Sequence, residues 1–199
     1  MPEKTWDDYA ESWDSNNAVI DYANHAFESL APVLAAIGDG TARVLDFGCG
    51  TGLLTEKLSP RVGRIVALDP SEKMISVLEG KQLGNIETIQ SMLSPDLISI
   101  DSRLHNRFDL IVASSALAFV PDYPHTVHLL ASLLKDNGYL VQWDWLLEDG
   151  GTGPGFTEAQ LHTAFEQAQL TDIQVTRPFS MQMEGTRLPV VMAVGRNRR

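Results

Sequence analysis

The stretch Val44-Leu45-Asp46-Phe47-Gly48-Cys49-Gly50-Thr51-Gly52 confines this chain to few folds. An apolar strand is predicted from Arg43 to Phe47, alternate glycines then make a turn, and Leu53, Leu54, Lys57 and Leu58 take up helical spacing. Glycines adopt backbone angles that other residues resist, and they let a ligand approach the main chain. The helix beyond them presents unpaired amides, which favour an anionic group. Two common ligand templates fail here. Counting from Gly48, the last position of a dinucleotide fingerprint falls on Leu53, where Gly or Ala is required. A phosphate-binding P-loop needs Gly-Lys-Ser/Thr, and the first lysine after these glycines is Lys57.

Further strands and helices alternate behind this turn. Arg64 to Leu68 is a second buried strand that ends on Asp69. That acid lies about twenty residues beyond the glycines, the spacing at which α/β nucleotide sites place a ribose-binding carboxylate. The other reading is an acid favoured by the dipole of the helix it precedes, which Ser71 is placed to cap. Ile86 to Gln90 is a third strand, and Ser94-Pro95-Asp96 starts a short helix. Phe108 to Ser115 is a fourth strand, unbroken in its apolar character as a parallel strand buried on both faces would be. Pro124 to Leu134 reads as a helix ended by Asn137-Gly138, and Tyr139 to Trp145 as a fifth strand. Glu148 to Gly155 is a glycine-rich loop. Thr157 to Gln169 is a helix capped by Thr157, with Leu161, Ala164, Phe165 and Ala168 inward. Asp172 to Arg177 and Pro189 to Val194 are a final pair of strands, joined across Phe179 to Leu188. Before the first strand, Trp6 to Trp13 is predicted helical with Trp6, Tyr9, Ala10 and Trp13 on one face. Val19 to Ile37 is helical too, interrupted near Pro32.

This alternation predicts an α/β fold: one doubly wound, mostly parallel, seven-stranded sheet with an antiparallel last strand. Residues 41–199 form the core, and 1–37 a helical cap, in a single domain whose size suits 199 residues. The net charge of −11 argues against DNA as a partner and disfavours RNA, because backbone binding needs clustered Lys and Arg. One cysteine, Cys49, excludes an internal disulfide and a multi-cysteine zinc site, so no metal is expected. The polar, acidic start is unlike a secretory signal, and the longest apolar run, Leu110 to Val120, is too short to span a bilayer. A cytoplasmic protein with no membrane partner is the expectation.

The form D-x-G-x-G-x-G at the end of a first strand resembles the first motif of the class I S-adenosylmethionine-dependent methyltransferases, which share a Rossmann-like fold. The run Asp69-Pro70-Ser71-Glu72-Lys73-Met74 resembles the family's second motif, and the fourth strand its fourth. Lys135 to Leu140 is similar to its turn into the fifth strand. The resemblance implies S-adenosylmethionine as cofactor and S-adenosylhomocysteine as product. The methionine end would lie over Gly48, Cys49 and Gly50 near Asp46, and Asp69 would hold the ribose. Pro70 and Met74 would border the adenosine, with Met92 and Leu117 near the adenine and Ser114 at the same sheet edge. The family often carries an aspartate just past the third strand, where this chain has Ser91-Met92, so Ser91 or backbone atoms would replace it. Many small members begin with a similar Tyr/Trp-Asp-x-x-Ala-x-x-Trp-Asp pattern, in which aromatic residues, here Tyr9 and Trp13, close over the cofactor. The other reading of this segment is a plain cover for the core.

Subfamily marks narrow the acceptor. Ser114-Ser115-Ala116-Leu117 stands where DNA amino-methyltransferases carry Asp/Asn/Ser-Pro-Pro-aromatic, and no Pro-Cys nucleophile is present. A small-molecule acceptor attacking the methyl carbon in line is therefore expected, with catalysis mainly by positioning. Asp144 and His125 are candidates for a base. Trp143 and Trp145 should share the face opposite Asp144. Trp13, Phe119, Tyr123, Met181 and Met183 suggest an apolar pocket, or simply core. Cys49, near a helix start, has either a lowered pKa or a filler role. A cofactor-binding protein without turnover, a nicotinamide-dependent oxidoreductase on a similar fold and an RNA methyltransferase are the alternatives. Acceptor atom and oligomeric state are not encoded in any motif.

Overall fold

The computed structural model describes residues 5–38, 40–105, 107–148, 151–183 and 185–198. Seven strands form one sheet: β1 (Arg43–Phe47), β2 (Arg64–Asp69), β3 (Ile86–Gln90), β4 (Phe108–Ser114), β5 (Leu134–Trp145), β6 (Thr171–Met183) and β7 (Thr186–Arg196). Their order is β3-β2-β1-β4-β5-β7-β6. The first five are parallel; β7 is antiparallel to both β5 and β6. Strand order reverses between β1 and β4, and the carboxyl edge at that point is where such sheets bind ligands.

Helices cover both faces: α1 (Ala10–Trp13), α2 (Asn17–Ser29), α3 (Ala31–Ile37), α4 (Leu53–Leu58), α5 (Glu72–Gly80), α6 (Pro95–Ile100), α7 (Ser102–His105), α8 (Tyr123–Ser132) and α9 (Glu158–Gln167). Successive residues of a parallel strand face opposite layers. Leu45, Phe47, Ile111 and Ala113 therefore pack under α7, α8 and α9 with Leu104, Leu130 and Phe165. Val44, Leu110 and Val112 pack under α2, α3 and α4 with Ala26, Leu34 and Leu58. The expected caps hold their helices: Ser71 accepts from Met74 N, Ser94 from Leu97 N and Thr157 from Gln160 N.

The interruption expected near Pro32 is present: α2 and α3 meet at Leu30, with Pro32 in the first turn of α3. Three boundaries differ from the sequence reading. The first segment is a 3-10 turn, Trp6–Asp8, followed by the short α1, so the single helical face is broken at Tyr9. Helix α8 stops at Ser132, and Leu134 to Gly138 already belongs to β5. The Asn137-Gly138 pair is a kink inside that strand, with Asn137 at φ +64° and a register shift opposite Phe108–Leu110. The stretch from Phe179 to Leu188 is not a connection. Phe179 pairs with Val190 and Met181 with Leu188, so β6 and β7 run on as a long hairpin. Among the described residues no helix is long and apolar enough to cross a membrane.

Candidate active site

The glycine turn sits on the end of β2. Gly48 N and Cys49 N both donate to Leu68 O, at 2.7 and 3.1 Å. The two flanking glycines serve different needs. Gly48 has φ +65°, and a Cβ there would overlap the Cβ of Ala116 in the turn after β4. Gly50 has φ +53°, and a Cβ there would reach only Trp13 Nε1 and Met74 Sδ, at 3.9 and 4.0 Å. The first glycine lets two turns touch; the second leaves main chain bare beside an open cavity of about 460 Å3.

Two buried carboxylates border that cavity. Asp69 accepts from Gly50 N at 2.9 Å through Oδ2 and from Ser71 N at 2.8 Å through Oδ1. Burial raises its pKa, these two amides oppose the shift, and Asp7 adds to it. Asp46 accepts from Thr55 Oγ1 at 2.5 Å. Burial pushes it up to about 7, with Thr55 opposing and the Asp69 charge adding. Burial also raises the Cys49 thiol, and both acids push it further. The lowered pKa that a helix start suggested for Cys49 is thus reversed: burial and two carboxylates outweigh a weak dipole. No Lys, Arg or His is among the described residues that line the cavity.

The amino-terminal segment closes the opening from above. Trp6 packs edge-on against Trp13 and Phe119, with ring centroids 6.0 and 5.0 Å apart. Two aspartates seven positions apart tie this segment to the core. Asp7 accepts from Ser71 Oγ at 2.5 Å and from Lys73 N at 3.3 Å, at the start of α5. Asp14 accepts from the Thr51 hydroxyl in the glycine turn and pairs with Lys81 Nζ at 2.8 Å.

Strand order divides the cavity. On the β2–β3 side it is lined by Pro70, Met74, Ser91, Met92 and Leu93. On the β4–β5–β6 side it is lined by Ser114, Ser115, Trp145 and Met181, roofed by Val19, Tyr22 and Ala23 of α2. Trp143 is fully buried and donates to Ser29 Oγ at 2.9 Å, while Trp145 faces the cavity from the same side of β5. Asp144 is on the opposite side of β5, fully buried, and accepts from Gln142 Nε2 at 2.7 Å. Burial raises Asp144 to about 7, opposed by Gln142 and by the Ala118 amide. Its Oδ1 and the hydroxyl of Tyr22 are buried without an aligned hydrogen bond. Such an unmade bond costs about 1–3 kcal/mol.

Trp13, Asp46, Gly48, Cys49, Gly50, Asp69, Pro70, Met74, Ser91, Met92 and Ser114 all line the one cavity. Other expected site residues are elsewhere. Tyr9 is exposed and packs on Trp6 and Trp13, because the break from 3-10 to α geometry turns it outward; Trp6 takes its place at the cavity. Leu117 is fully buried in the core beneath the 3-10 turn Leu117–Phe119 and does not reach the cavity. His125 is exposed in the first turn of α8, outside the lining. Of the suggested apolar pocket, Trp13, Phe119 and Met181 line the cavity. Tyr123 instead donates to Gln142 at 2.9 Å and packs on Phe156, and the Met183 side chain lies outside the described residues. Sequence reasoning missed Tyr22, Ser115 and Asn16. The signal for Tyr22 was the Val19, Tyr22, Ala23, Ala26 stripe, which reads equally as core.

Residues 21–175 match the methyltransferase-domain family. The chain belongs to it, within the class I S-adenosylmethionine-dependent methyltransferases that its glycine turn resembles. A demethylmenaquinone methyltransferase of Bacillus cereus is 26% identical, with 91% of each chain aligned. An uncharacterized methyltransferase of Schizosaccharomyces pombe is 29% identical over 66% of this chain, and the match spans about half of that relative (54%). Among solved structures, the N-methyltransferase NodS from Bradyrhizobium japonicum, in complex with S-adenosylhomocysteine, superposes with a TM-score of 0.70 at 18% identity, covering 98% of this chain and 100% of that one. A putative methyltransferase from Haloferax volcanii, in complex with the Trm112 activator, gives 0.76 at 16% identity with full coverage of both.

Proposed function

We propose that the cavity holds S-adenosylmethionine and that a small, uncharged, largely apolar molecule receives the methyl group. The observation that carries this reading is the make-up of the wall: two buried acids, Asp46 and Asp69, and no cationic side chain among the described residues that line it. Such a wall suits a ligand bearing positive charge and opposes phosphates and dinucleotides. The bare main chain at Gly50 and the acid Asp46 suit the methionine end, and Asp69 the ribose diol. Pro70, Met74, Met92 and Ser91 suit the adenine. The sulfonium supplies a methyl carbon that leaves a neutral thioether behind.

The chain's own residues bind, orient and exclude water. Trp6, Trp13 and Phe119 form a lid over the cavity, tied by Asp7 and Asp14. The acceptor side, with Val19, Tyr22, Ala23, Trp145 and Met181, offers apolar and aromatic surface with isolated hydroxyls. The name of the Bacillus relatives, demethylmenaquinone methyltransferase, supports an acceptor with an apolar ring. RNA is opposed by the net charge of −11.

Calorimetric titration with S-adenosylhomocysteine, with NAD as control, tests the cofactor. Binding of the first alone is expected; binding of NAD, or of neither, sinks the reading. Label transferred from methyl-labelled cofactor into small-molecule extracts, and not into RNA, is the expected sign of turnover.

A further inference from the structure

The acid that suits the ribose is held by a chain of bonds that begins in the amino-terminal segment. Asp69 Oδ1 accepts from Ser71 N and Oδ2 from Gly50 N. Each carboxylate oxygen keeps a second lone pair for a ligand, and Asp69 lines the cavity. Ser71, which supplies one of the two amides, is buried and engaged through its side chain as well. Its Oγ accepts from Met74 N at 3.2 Å, the cap of α5, and this leaves the hydroxyl hydrogen for another acceptor. That acceptor is Asp7 Oδ1, at 2.5 Å, from a segment 64 positions earlier in the chain. The same Asp7 oxygen accepts from Lys73 N at 3.3 Å. Asp7 therefore clasps the main chain from Ser71 to Lys73 at both ends. The series Asp7, Ser71, Asp69, Gly50 runs unbroken from the covering segment to the glycine turn. Asp14, the segment's other anchor, takes a different route, to Thr51 and Lys81.

Resting on the cofactor reading above, the geometry points to Asp7 as a positioning residue for the ribose of S-adenosylmethionine, acting on Asp69 through Ser71. The clasp fixes the stretch that carries the Ser71 amide, and that amide is the donor to Asp69 Oδ1. The carboxylate then keeps the one orientation in which two adjacent hydroxyls can donate to its two oxygens. A ligand that meets such a preset acceptor loses less freedom in aligning it. By reciprocity, a ribose bound to Asp69 holds Asp7, and the aromatic lid with it, in place. The segment is thus more than a cover: it closes hardest over a ligand that carries the ribose hydroxyls. The adenine and the methionine end touch other residues and do not share in this coupling.

The test titrates two ligands calorimetrically into the full chain: S-adenosylhomocysteine, and its analogue without the 2′ and 3′ hydroxyls. In the parent the first should bind roughly ten- to a hundredfold tighter, the scale of hydrogen bonds to a charged group. Asp7→Ala should shrink that ratio about fivefold or more, because it weakens S-adenosylhomocysteine more than the analogue. Asp7→Asn keeps an acceptor for Ser71 Oγ and should restore the ratio. Asp14→Ala, which loosens the same segment at its other anchor, should weaken both ligands alike and leave the ratio as in the parent. A ratio unchanged in Asp7→Ala, or one that shrinks as much in Asp14→Ala or in Asp7→Asn, overturns the assignment, since the aspartate would then only fasten the segment. A parent that fails to bind S-adenosylhomocysteine overturns the cofactor reading, and one that binds both ligands equally overturns the ribose role of Asp69. Either takes the assignment with it, and both are seen in the parent before any variant is compared, so the failures are told apart.

Discussion

Asp69 and Asp46 carry different burdens although both are buried at one turn. Asp69 already receives two main-chain amides, which fix its carboxylate at the mouth of the cavity. In Asp69→Ala, affinity for S-adenosylhomocysteine should fall by roughly 1.5–3 kcal/mol, the scale of hydrogen bonds to a charged group. Unchanged affinity by calorimetry would leave it a structural acid that braces the turn. Asp46 is held protonated up to about pH 7 in the fold, against an ordinary value of 3.8. The unfolded chain ionises first, so stability falls as pH rises from about 4 to about 7 and is level above. Asp46→Asn keeps the acceptor for Thr55 and removes that loss. Its stability to unfolding should equal that of the parent near pH 4 and exceed it above pH 7, by an amount on the order of a few kcal/mol, read as a higher melting temperature. At this scale the sequence was informative where chemistry and spacing coincide: Asp46, Gly50 and Asp69 meet at one cavity as their motif implied. It was blind at Leu117 and Tyr9, whose directions depend on 3-10 turns that no periodicity marks.

At the scale of elements, the parallel half of the sheet was legible. Strands β1, β2 and β4 are largely apolar runs bounded by turn residues, because both of their faces are covered. The hairpin of β6 and β7 was cut short in the reading, which ended one strand at Arg177, just before Pro178, and began the next at Pro189. Pro178 sits at a register shift on the edge strand β6, where a proline is tolerated. Asn137-Gly138 misled in the same way, as a kink within β5. The proposed lid is tied to the core at Asp7 and Asp14. Asp14→Ala removes its ties to Thr51 and Lys81. The expected outcome is a two- to tenfold faster release of S-adenosylhomocysteine in stopped-flow fluorescence, with association little changed. A rate equal to that of the parent would mean that the lid does not gate the cavity.

For the whole molecule, one sheet joins two apolar layers, so neither can melt alone. A single calorimetric transition is expected. S-Adenosylhomocysteine at one hundred times its Kd should add about 2.7 kcal/mol, which for a chain of this size raises Tm by roughly 5–10 °C. Two separated transitions, or a ligand shift confined to one, would divide the protein into independent units. The position of β7 has a further consequence for how the molecule is made. It lies between β5 and β6, so a strand synthesised after both is inserted between them. A ribosome-bound chain that ends before Thr186 already has β1, β2, β3 and the glycine turn, but exposes two unpaired edges and lacks the partner that holds Met181 over the cavity. Early termination before Thr186 therefore leaves β5 and β6 with unpaired edges, and such a chain is prone to stick to its neighbours.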